Sequence, residues 1–444
     1  MSEVSDFIVA ACVPLDRSHV SGNLERAEAL LTKHPEVATD SIYTAAILGD
    51  DAGVRRFLDA DASLATRKDG PHEWDALTYL CFSRYLRLDR NRSQGFVAAA
   101  GALLDAGSSP NTGWWEKSHG PKPEWECALY GAAGVAHHPE LTRLLIERGA
   151  DPNDGEVTYH SPEAYDNRAL EVIVGSGKLT PDSLATMLLR KHDWHDFDGI
   201  VFLLEHGADP NRLTHWLRTP MQHAMARDND IDIIKAVLDH GGNPSFPPGP
   251  MPPISIAVSR GRGDVLRELA IRGIPMDLTG VERLIAACAL DDAAAIEALV
   301  SSEPELVAEL LSDGGRLLAE FAGVGNAEGV GRLLDLGVGV AERYHGDGYF
   351  DIAPSSTALH VAAWRAQHST VNLLIERGAP VEVKDGAGRT PIALAIKACV
   401  DSYWSYRRSP NSVQALLDAG ASTDGIPMPT GYPDIDVLLE AASK

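Results

Sequence analysis

Aromatic and acid–base side chains are concentrated in one half of this 444-residue chain. Six of the eight tryptophans lie between Trp74 and Trp216, whereas residues 217–343 contain neither tryptophan nor tyrosine. Aromatic faces beside carboxylates and imidazoles form the residue set that binds sugars and other polar ligands and that supports general acid–base chemistry. Four residues of this half are candidate catalytic groups: Glu73, Glu126, His160 and Asp166.

Three interpretations of this enrichment are open. The first is a recognition groove, in which Trp and Tyr supply contact area and a few charges orient the partner. The second is a hydrolase- or lyase-like site for a sugar or another polar small molecule. The third is a structural scaffold with no small-molecule site, in which the rings pack long loops onto the body of the protein. We favour recognition of a protein partner or polar ligand over catalysis.

Motifs that carry other chemistries are absent from the sequence. There is no GxxxxGK[ST] loop, no HExxH and no GxSxG. The HDWHD segment at 192–196 places two histidines three residues apart, but such side chains in a connecting segment more often meet solvent or each other, so we predict no metal and no cofactor. The cysteines are scattered, and at 46 residues or more from one another they form no CxxC motif: Cys12, Cys81, Cys127, Cys288 and Cys399.

Charge narrows the range of partners. The chain carries 39 basic and 63 acidic residues, a formal net charge of −24, which repels phosphate backbones and anionic lipids. We therefore predict no nucleic-acid or membrane partner and expect a cationic or neutral one. The acidic start MSEVSDF and the odd number of cysteines favour a cytoplasmic protein. The excess of Arg over Lys is typical of a GC-rich bacterial source. The sequence makes no prediction about the oligomeric state.

The elements that must position these residues recur along the chain. An apolar stripe that ends in glycine and a small residue appears as LLIERGADPN, LLEHGADPN, LLIERGAPVE and LLDAGAST. About a dozen such units of 26 to 46 residues account for nearly the whole chain, a period that indicates a repeat array. The terminal glycines predicted from this pattern are Gly107, Gly149, Gly177, Gly207, Gly241, Gly273, Gly337, Gly378 and Gly420.

A second recurring segment begins each unit, and it is best preserved as TALHVAA from Thr357 and TPIALAI from Thr390. Together with the glycine endings it resembles the ankyrin repeat. That resemblance implies an all-α solenoid of about twelve stacked helix-turn-helix units, each of which buries its apolar stripe against its neighbours. We expect a single solenoid over 1–444, with an N-terminal capping repeat at 1–40, ankyrin repeats at 41–424 and a C-terminal cap at 425–444.

The resemblance also implies a place for the ligand. Ankyrin repeats contact ligands through the finger before the inner helix and through the last residues of that helix. The residues expected on this concave groove are His72, Trp74, Trp115, Trp125, Glu126, Tyr165, Asp166, Trp194, Trp216, Arg218, Trp364 and Arg365. Extended finger loops at 112–126, 154–168 and 191–198 come from consecutive repeats and should lie side by side. We therefore predict a site lined by residues from about 72 to 218.

Overall fold

The computed structural model describes residues 2–15, 22–118, 120–246, 251–402 and 404–442. Helices dominate these residues, in agreement with the all-α prediction. The chain divides into two compact units, Met1–Asn243 (unit 1) and Pro244–Lys444 (unit 2). The division lies just before the proline-rich segment that begins at Phe246, whose residues 247–250 lie outside the described ranges. A single uninterrupted solenoid stays a prediction.

Unit 1 contains a series of short helices and one β-hairpin. The α-helices are α1 (Glu3–Ala11), α2 (Glu25–Lys33), α3 (Ile42–Leu48), α4 (Asp51–Ala60), α5 (Ala76–Cys81), α6 (Arg84–Leu88), α7 (Ser93–Asp105), α8 (Ala128–Tyr130), α9 (Pro139–Glu147), α10 (Gly155–His160), α11 (Arg168–Gly175), α12 (Pro181–His192), α13 (Phe197–Glu205), α14 (Pro220–Ala226) and α15 (Ile231–Asp239). A π-helical turn, Gly131–Val135, extends α8. The hairpin pairs β1 (Gly113–Glu116) with β2 (Glu124–Cys127) in antiparallel register.

Unit 2 continues the pattern of helix pairs. Its α-helices are α16 (Pro253–Ser259), α17 (Gly263–Ile271), α18 (Val281–Leu290), α19 (Ala293–Ser302), α20 (Glu305–Ser312), α21 (Gly314–Val324), α22 (Ala327–Asp335), α23 (Ala358–Trp364), α24 (His368–Glu376), α25 (Pro391–Asp401), α26 (Asn411–Asp418) and α27 (Pro433–Ala442). Short 3₁₀ turns connect several elements of the two units: Pro35–Thr39, Ala62–Ala65, Arg90–Arg92 and Ser405–Arg407.

Helix ends follow the sequence signals. At the start of α25, the side chain of Thr390 accepts the Ala393 N–H (3.4 Å) and Pro391 occupies the first helical position, where its missing N–H costs no helix hydrogen bond. At the start of α23, the Thr357 N–H donates to Nδ1 of His360 (3.1 Å). All nine glycines predicted to end outer helices have positive φ, as at Gly149 (99°), a region that non-glycine residues rarely occupy.

Stacking of neighbouring repeats forms two rows of helices in unit 1. The inner row runs α3, α5, α8, α10, α12 and α14, each packed on the next. In the outer row α4 packs on α7, α7 on α9, α9 on α11, and α13 on α15. In unit 2, α21 packs on α23 and α23 on α25, while α22 packs on α24 and α24 on α26. Contacts between successive repeats are the expected basis of stability in a solenoid.

Two of the predicted finger loops have regular structure instead. The finger at 112–126 forms the β1–β2 hairpin, the exception to the helical prediction. Residues 154–168 are not one long loop, because Asp154 caps a new inner helix, α10, by accepting the N–H groups of Glu156 (3.1 Å) and Val157 (3.4 Å). The next segment, ALEVIVG at 169–175, lies in α11 and is therefore the outer helix of the same repeat. Within 191–198, Lys191 and His192 complete α12, and 193–196 connect it to α13.

No helix among the described ranges combines the length and apolar character needed to cross a bilayer.

Candidate functional site

A cleft of about 780 Å³ lies in unit 1, where the hairpin, α10, α12 and the finger before α14 approach one another. Carboxylates and aromatic rings dominate its lining, and among the residues that line it no Lys or Arg occurs. The lining residues are Glu124, Glu126, Tyr130, Asn153, Gly155, Glu156, Thr158, Tyr159, His160, Glu163, Asp182, Ser183, Thr186, His215 and Trp216.

The hairpin positions Glu126 through its register. Trp114 lies directly opposite Glu126 across the two strands, so both side chains occupy the same face. Trp114 is buried and packs on Trp74, with ring centroids 5.2 Å apart, which anchors the hairpin to the inner row. The other face carries the pair Trp115 and Trp125, whose centroids are 5.0 Å apart. The hairpin therefore presents one acidic face to the cleft and one aromatic face away from it.

His160, the last residue of α10, lies between two carboxylates. Its Nε2 is 3.2 Å from Oε2 of Glu156, one helical turn earlier, and its Nδ1 is 2.8 Å from Oε2 of Glu163. Burial alone would lower the pKa of His160, but the two carboxylate hydrogen bonds outweigh it and raise the pKa to about 9. His160 is therefore an imidazolium at neutral pH, with both ring N–H groups donating to carboxylates.

A network of charges extends from this histidine beneath the cleft. Arg190 bridges Glu163 and Asp193, binding a carboxylate on each side. Asp193 also accepts from Nε of Arg227 (2.6 Å) and from Nε2 of His223 (2.8 Å). Burial would raise the pKa of Asp193, but the hydrogen bond from His223 and the two guanidinium charges hold it well below its usual range. The network fixes the charged floor of the cleft.

Two aromatic rings form one wall of the cleft. Tyr159 and Trp216 have ring centroids 5.5 Å apart, and the guanidinium carbon of Arg190 lies 3.9 Å from the centre of the Tyr159 ring. Thr214 Oγ1 donates to the carbonyl of Arg218 (2.7 Å), which closes the short loop that carries Trp216. Trp216 keeps 42% of its surface exposed, so its ring is available to a ligand.

The family assignment rests on unit 2. A family model described as the ankyrin repeat matches residues 356–386, which contain all of α23 and α24 and the glycine turn after them. This chain contains an ankyrin repeat. Ankyrin repeats generally mediate binding to other proteins, so a binding role is consistent with the family.

Individual proteins resemble this chain over parts of its length. Serine/threonine-protein kinase 12 of Arabidopsis thaliana is 42% identical over 84 residues, which are 19% of this chain and 17% of the kinase. The chain thus spans about a sixth of the length of that relative. The human ASB11 ankyrin repeat domain is 15% identical, with 86% of this chain and 98% of that one covered and a TM-score of 0.25. An Acinetobacter baumannii ankyrin repeat domain is 20% identical, with 46% of this chain and 98% of that one covered and a TM-score of 0.35.

Three of the predicted site residues of this chain line the cleft: Glu126, His160 and Trp216. Trp115 and Trp125 occupy the opposite face of the hairpin, where Trp115 is 56% exposed. Tyr165 and Trp194 form an edge-to-face pair 5.4 Å apart between centroids, and Arg218 is exposed beside Trp216. None of these five lines the cleft.

Several other predicted residues have roles in packing or in local ion pairs. The prediction that Trp74 faces a groove is wrong, because its ring is 2% exposed and packs between Trp114 and Tyr79. His72 packs on that ring with centroids 4.7 Å apart, and the neighbouring Glu73 is exposed. Asp166 pairs with Arg168, two residues later, and the hydrogen bonds from that guanidinium lower the Asp166 pKa to about 2.

Trp364 and Arg365 also belong to a core. Trp364 is 5% exposed, its Nε1 donates to the carbonyl of Phe350 (2.5 Å), and its ring packs on Trp404. Arg365 is 3% exposed and its guanidinium carbon lies 4.1 Å from the centre of the Phe350 ring. The prediction that these two residues face an open groove is therefore wrong, because the loop before α23 folds over them.

The sequence-based site missed the partners of His160. Glu156, Glu163 and Asp182 line the cleft, as do Tyr130 and Tyr159. The spacing Glu156–x₃–His160 carries a signal for one of them, because it brings that carboxylate to the histidine once α10 is helical. Glu163 lies in the turn after α10, where its N–H donates to the carbonyl of His160 (3.0 Å). The sequence pattern predicts a loop here, and in a loop the spacing has no geometric meaning.

The HDWHD segment contributes to packing. His192 is buried at the end of α12, with Nδ1 2.5 Å from the side-chain oxygen of Asn229, and burial lowers its pKa to about 3. Asp193 belongs to the network described above. Over the described ranges no group of three or more His, Cys, Asp and Glu side chains has the arrangement of a metal site.

Proposed function

We propose that this protein is a recognition protein whose cleft in unit 1 binds a basic side chain of a protein partner. One observation carries the proposal: five carboxylates line the cleft, and among the described residues that line it there is no Lys or Arg. A guanidinium or ammonium group that enters the cleft is attracted by these carboxylates. Its stem can lie against the Trp216 and Tyr159 rings, where cation–π attraction adds to the contact.

Catalysis has less support from the geometry. Both ring nitrogens of His160 donate to carboxylates, so the imidazolium has no lone pair with which to act as a base. The hydroxyl of Ser183 donates to the amide oxygen of Asn153 (2.8 Å) and is not activated by a histidine. The candidate catalytic residues Glu73 and Asp166 are not part of the cleft lining. A hydrolase- or lyase-like activity on a sugar stays a prediction.

We also propose a cytoplasmic, bacterial setting. All five cysteines are free and buried, which supports a reducing compartment. The predominance of arginine over lysine supports the bacterial source.

The experiment compares two tryptophans that are both exposed. A fluorescein-labelled peptide library with one fixed Arg or Lys between Gly and Ala positions is titrated with the protein and read by anisotropy, with a fixed Glu library as the negative probe. We expect the basic libraries to bind and Trp216→Ala to weaken binding by about 2 kcal/mol. The matched control is Trp115→Ala, because that ring lies on the hairpin face away from the cleft.

Charge variants complete the test. Glu124→Gln and Glu126→Gln each remove a carboxylate from the lining without a large change of shape, so both should weaken binding, and added salt should weaken it further. Equal losses in Trp115→Ala and Trp216→Ala, or equal binding of the Glu library, would contradict the proposal. Absence of binding to every library would favour the scaffold interpretation.

A further inference from the structure

A second cleft, of about 460 Å³, lies in unit 2 at the N-terminus of α24. The residue just before α24 and the first turn of the helix form one side, and Tyr406, Arg407, Arg408 and Ser409 form the other. In a chain of net charge −24, none of the residues that line this cleft is Asp or Glu. Its local charge is therefore opposite to that of the cleft in unit 1.

The N-terminus of α24 differs from the equivalent ends of two other outer helices, α9 and α22. In α9 the ring of His138 accepts the N–H of Leu141 (3.1 Å), and in α22 the side chain of Asn326 accepts the N–H of Gly329 (2.9 Å). The residue at this position of α24 is Gln367, and its side-chain amide instead donates to the carbonyl of Gly323 (2.9 Å). Among the described residues no side chain caps α24. The N–H groups of its first turn keep their partial positive charge.

The side chain of Thr370 adds a second unsatisfied group at the same end. Thr370 is 1% exposed and lines the cleft, and within the described ranges its Oγ1 has no hydrogen-bond partner. A buried hydroxyl without a partner is unfavourable and uncommon. Thr142, in the first turn of α9, shows the ordinary arrangement, because its Oγ1 donates to the carbonyl of His138 (2.8 Å). Thr370 thus offers an O–H and an uncapped N–H to whatever enters the cleft.

The facing segment brings two guanidinium groups to this end of the helix. Nε2 of His368 is 3.0 Å from the carbonyl oxygen of Arg407, and Nδ1 is 2.6 Å from the Ser412 hydroxyl, so the first residue of α24 holds the segment in place. Arg408 donates through one Nη to the carbonyl of Ser402, and its buried Nε has no partner among the described residues. The Arg407 guanidinium stacks over Tyr406.

We propose that this cleft binds a phosphate-type oxyanion, either inorganic phosphate or a phosphate monoester. The uncapped first turn of α24 and the Thr370 hydroxyl would donate to its oxygens, as helix N-termini do for phosphate. Arg407 and Arg408 would balance its charge, since guanidinium forks match phosphate geometry. The site is independent of the cleft in unit 1 and takes ligands of opposite charge.

Isothermal titration of the full chain with inorganic phosphate, at low ionic strength and with chloride as the competing anion, tests the proposal. We expect saturable binding of one phosphate. Thr370→Val keeps the shape of the side chain and removes the hydroxyl, so it should weaken binding about fivefold. Arg407→Gln should weaken it about tenfold. Gln367→Asn should also weaken it, because Asn at this position caps the helix in α22.

Thr142→Val is the matched control, since it removes a buried hydroxyl from the first turn of α9 and should leave phosphate affinity unchanged. Thermal melting of every variant separates loss of the site from loss of the fold. A blocked phosphoserine that binds about tenfold more tightly than phosphate would identify a monoester on a protein as the source, and equal affinities would identify free phosphate. Absence of phosphate binding at about 10 mM, or wild-type affinity in both Thr370→Val and Arg407→Gln, would overturn the proposal.

Discussion

The cleft of unit 1 and the region around Trp364 in unit 2 use the same residue types with opposite results. Each combines tryptophan and tyrosine rings with carboxylates. Trp216 keeps 42% of its surface exposed at the cleft, whereas Trp364 and Trp404 are 5% and 3% exposed. The first arrangement leaves room for a ligand, and the second is a hydrophobic core.

The difference comes from the segment that precedes the inner helix. In unit 2 the Tyr344–Ser356 and Asp347–Ile352 backbone bridges fold the finger back on itself, and Phe350 and Ile352 pack with Trp364. In unit 1 the hairpin places Trp114 in the core and leaves its acidic face beside an open cleft. In these two regions a tryptophan stays exposed where no finger covers it and is buried where one does.

The substitution with the largest expected effect on stability is Trp364→Ala. Removal of a buried indole leaves a cavity and an unpaired carbonyl at Phe350, so unit 2 should lose about 3–5 kcal/mol of unfolding free energy. Urea denaturation followed by circular dichroism measures the loss. Trp216→Ala is the control and should stay within about 0.5 kcal/mol of wild type, because its ring is exposed. Similar losses in the two variants would mean that the two regions do not differ as described.

Asp193→Asn tests whether the charged floor of the cleft supports the fold. The substitution leaves the partly buried Arg190 and Arg227 without their shared, buried carboxylate, and we expect a loss of about 3–4 kcal/mol in the free energy of unfolding. Asp182→Asn is the matched control, since that carboxylate lies on the cleft rim in an exposed pair with Arg212, and its loss should be below about 1 kcal/mol. A small effect at Asp193 would show that the network is dispensable for folding.

The pH dependence of stability sharpens the comparison further. The pKa of His160 is raised to about 9 in the folded protein, above its ordinary value of about 6.5. Its contribution, about 3 kcal/mol, is therefore complete below about pH 6.5 and is lost as the pH rises through about 9. Denaturation midpoints of wild type and His160→Gln between pH 6 and pH 10 measure it. The two should differ most at pH 6 and converge at pH 10, and a constant difference would contradict the assigned charge.

The smallest expected effect is at the outer face of the hairpin. Trp115→Ala removes the cross-strand contact with Trp125, which should cost about 0.5–1 kcal/mol. Hydrogen exchange of the hairpin amides is the sensitive measurement, because only β1 and β2 should open more often. Faster exchange across the inner helices would show that this face supports the whole unit.

Local signals in the sequence predicted the repeat correctly. Thr390 begins an inner helix and Gly149 ends an outer one, because capping and left-handed backbone depend on a few neighbouring residues. The sequence also placed Glu126, His160 and Trp216 in one region, since they belong to neighbouring repeats. It did not predict α10, because the recurring start seen in TALHVAA and TPIALAI is missing there. Asp154 and Gly155 stand at the beginning of that helix instead. The partners of His160 were missed for the same reason.

Residue type and spacing by themselves determined that this chain is an array of helix pairs, because each cap and each glycine turn acts within one repeat. Only the tertiary structure decided which aromatic side chains are core and which are surface. Trp74 and Trp216 each precede an inner helix and Trp364 is the last residue of one, but the sequence pattern predicts all three on the concave groove and does not distinguish them. Their burial depends on whether a finger that begins elsewhere in the chain packs over the ring. That is a balance of contacts between separate segments, and local sequence does not encode it.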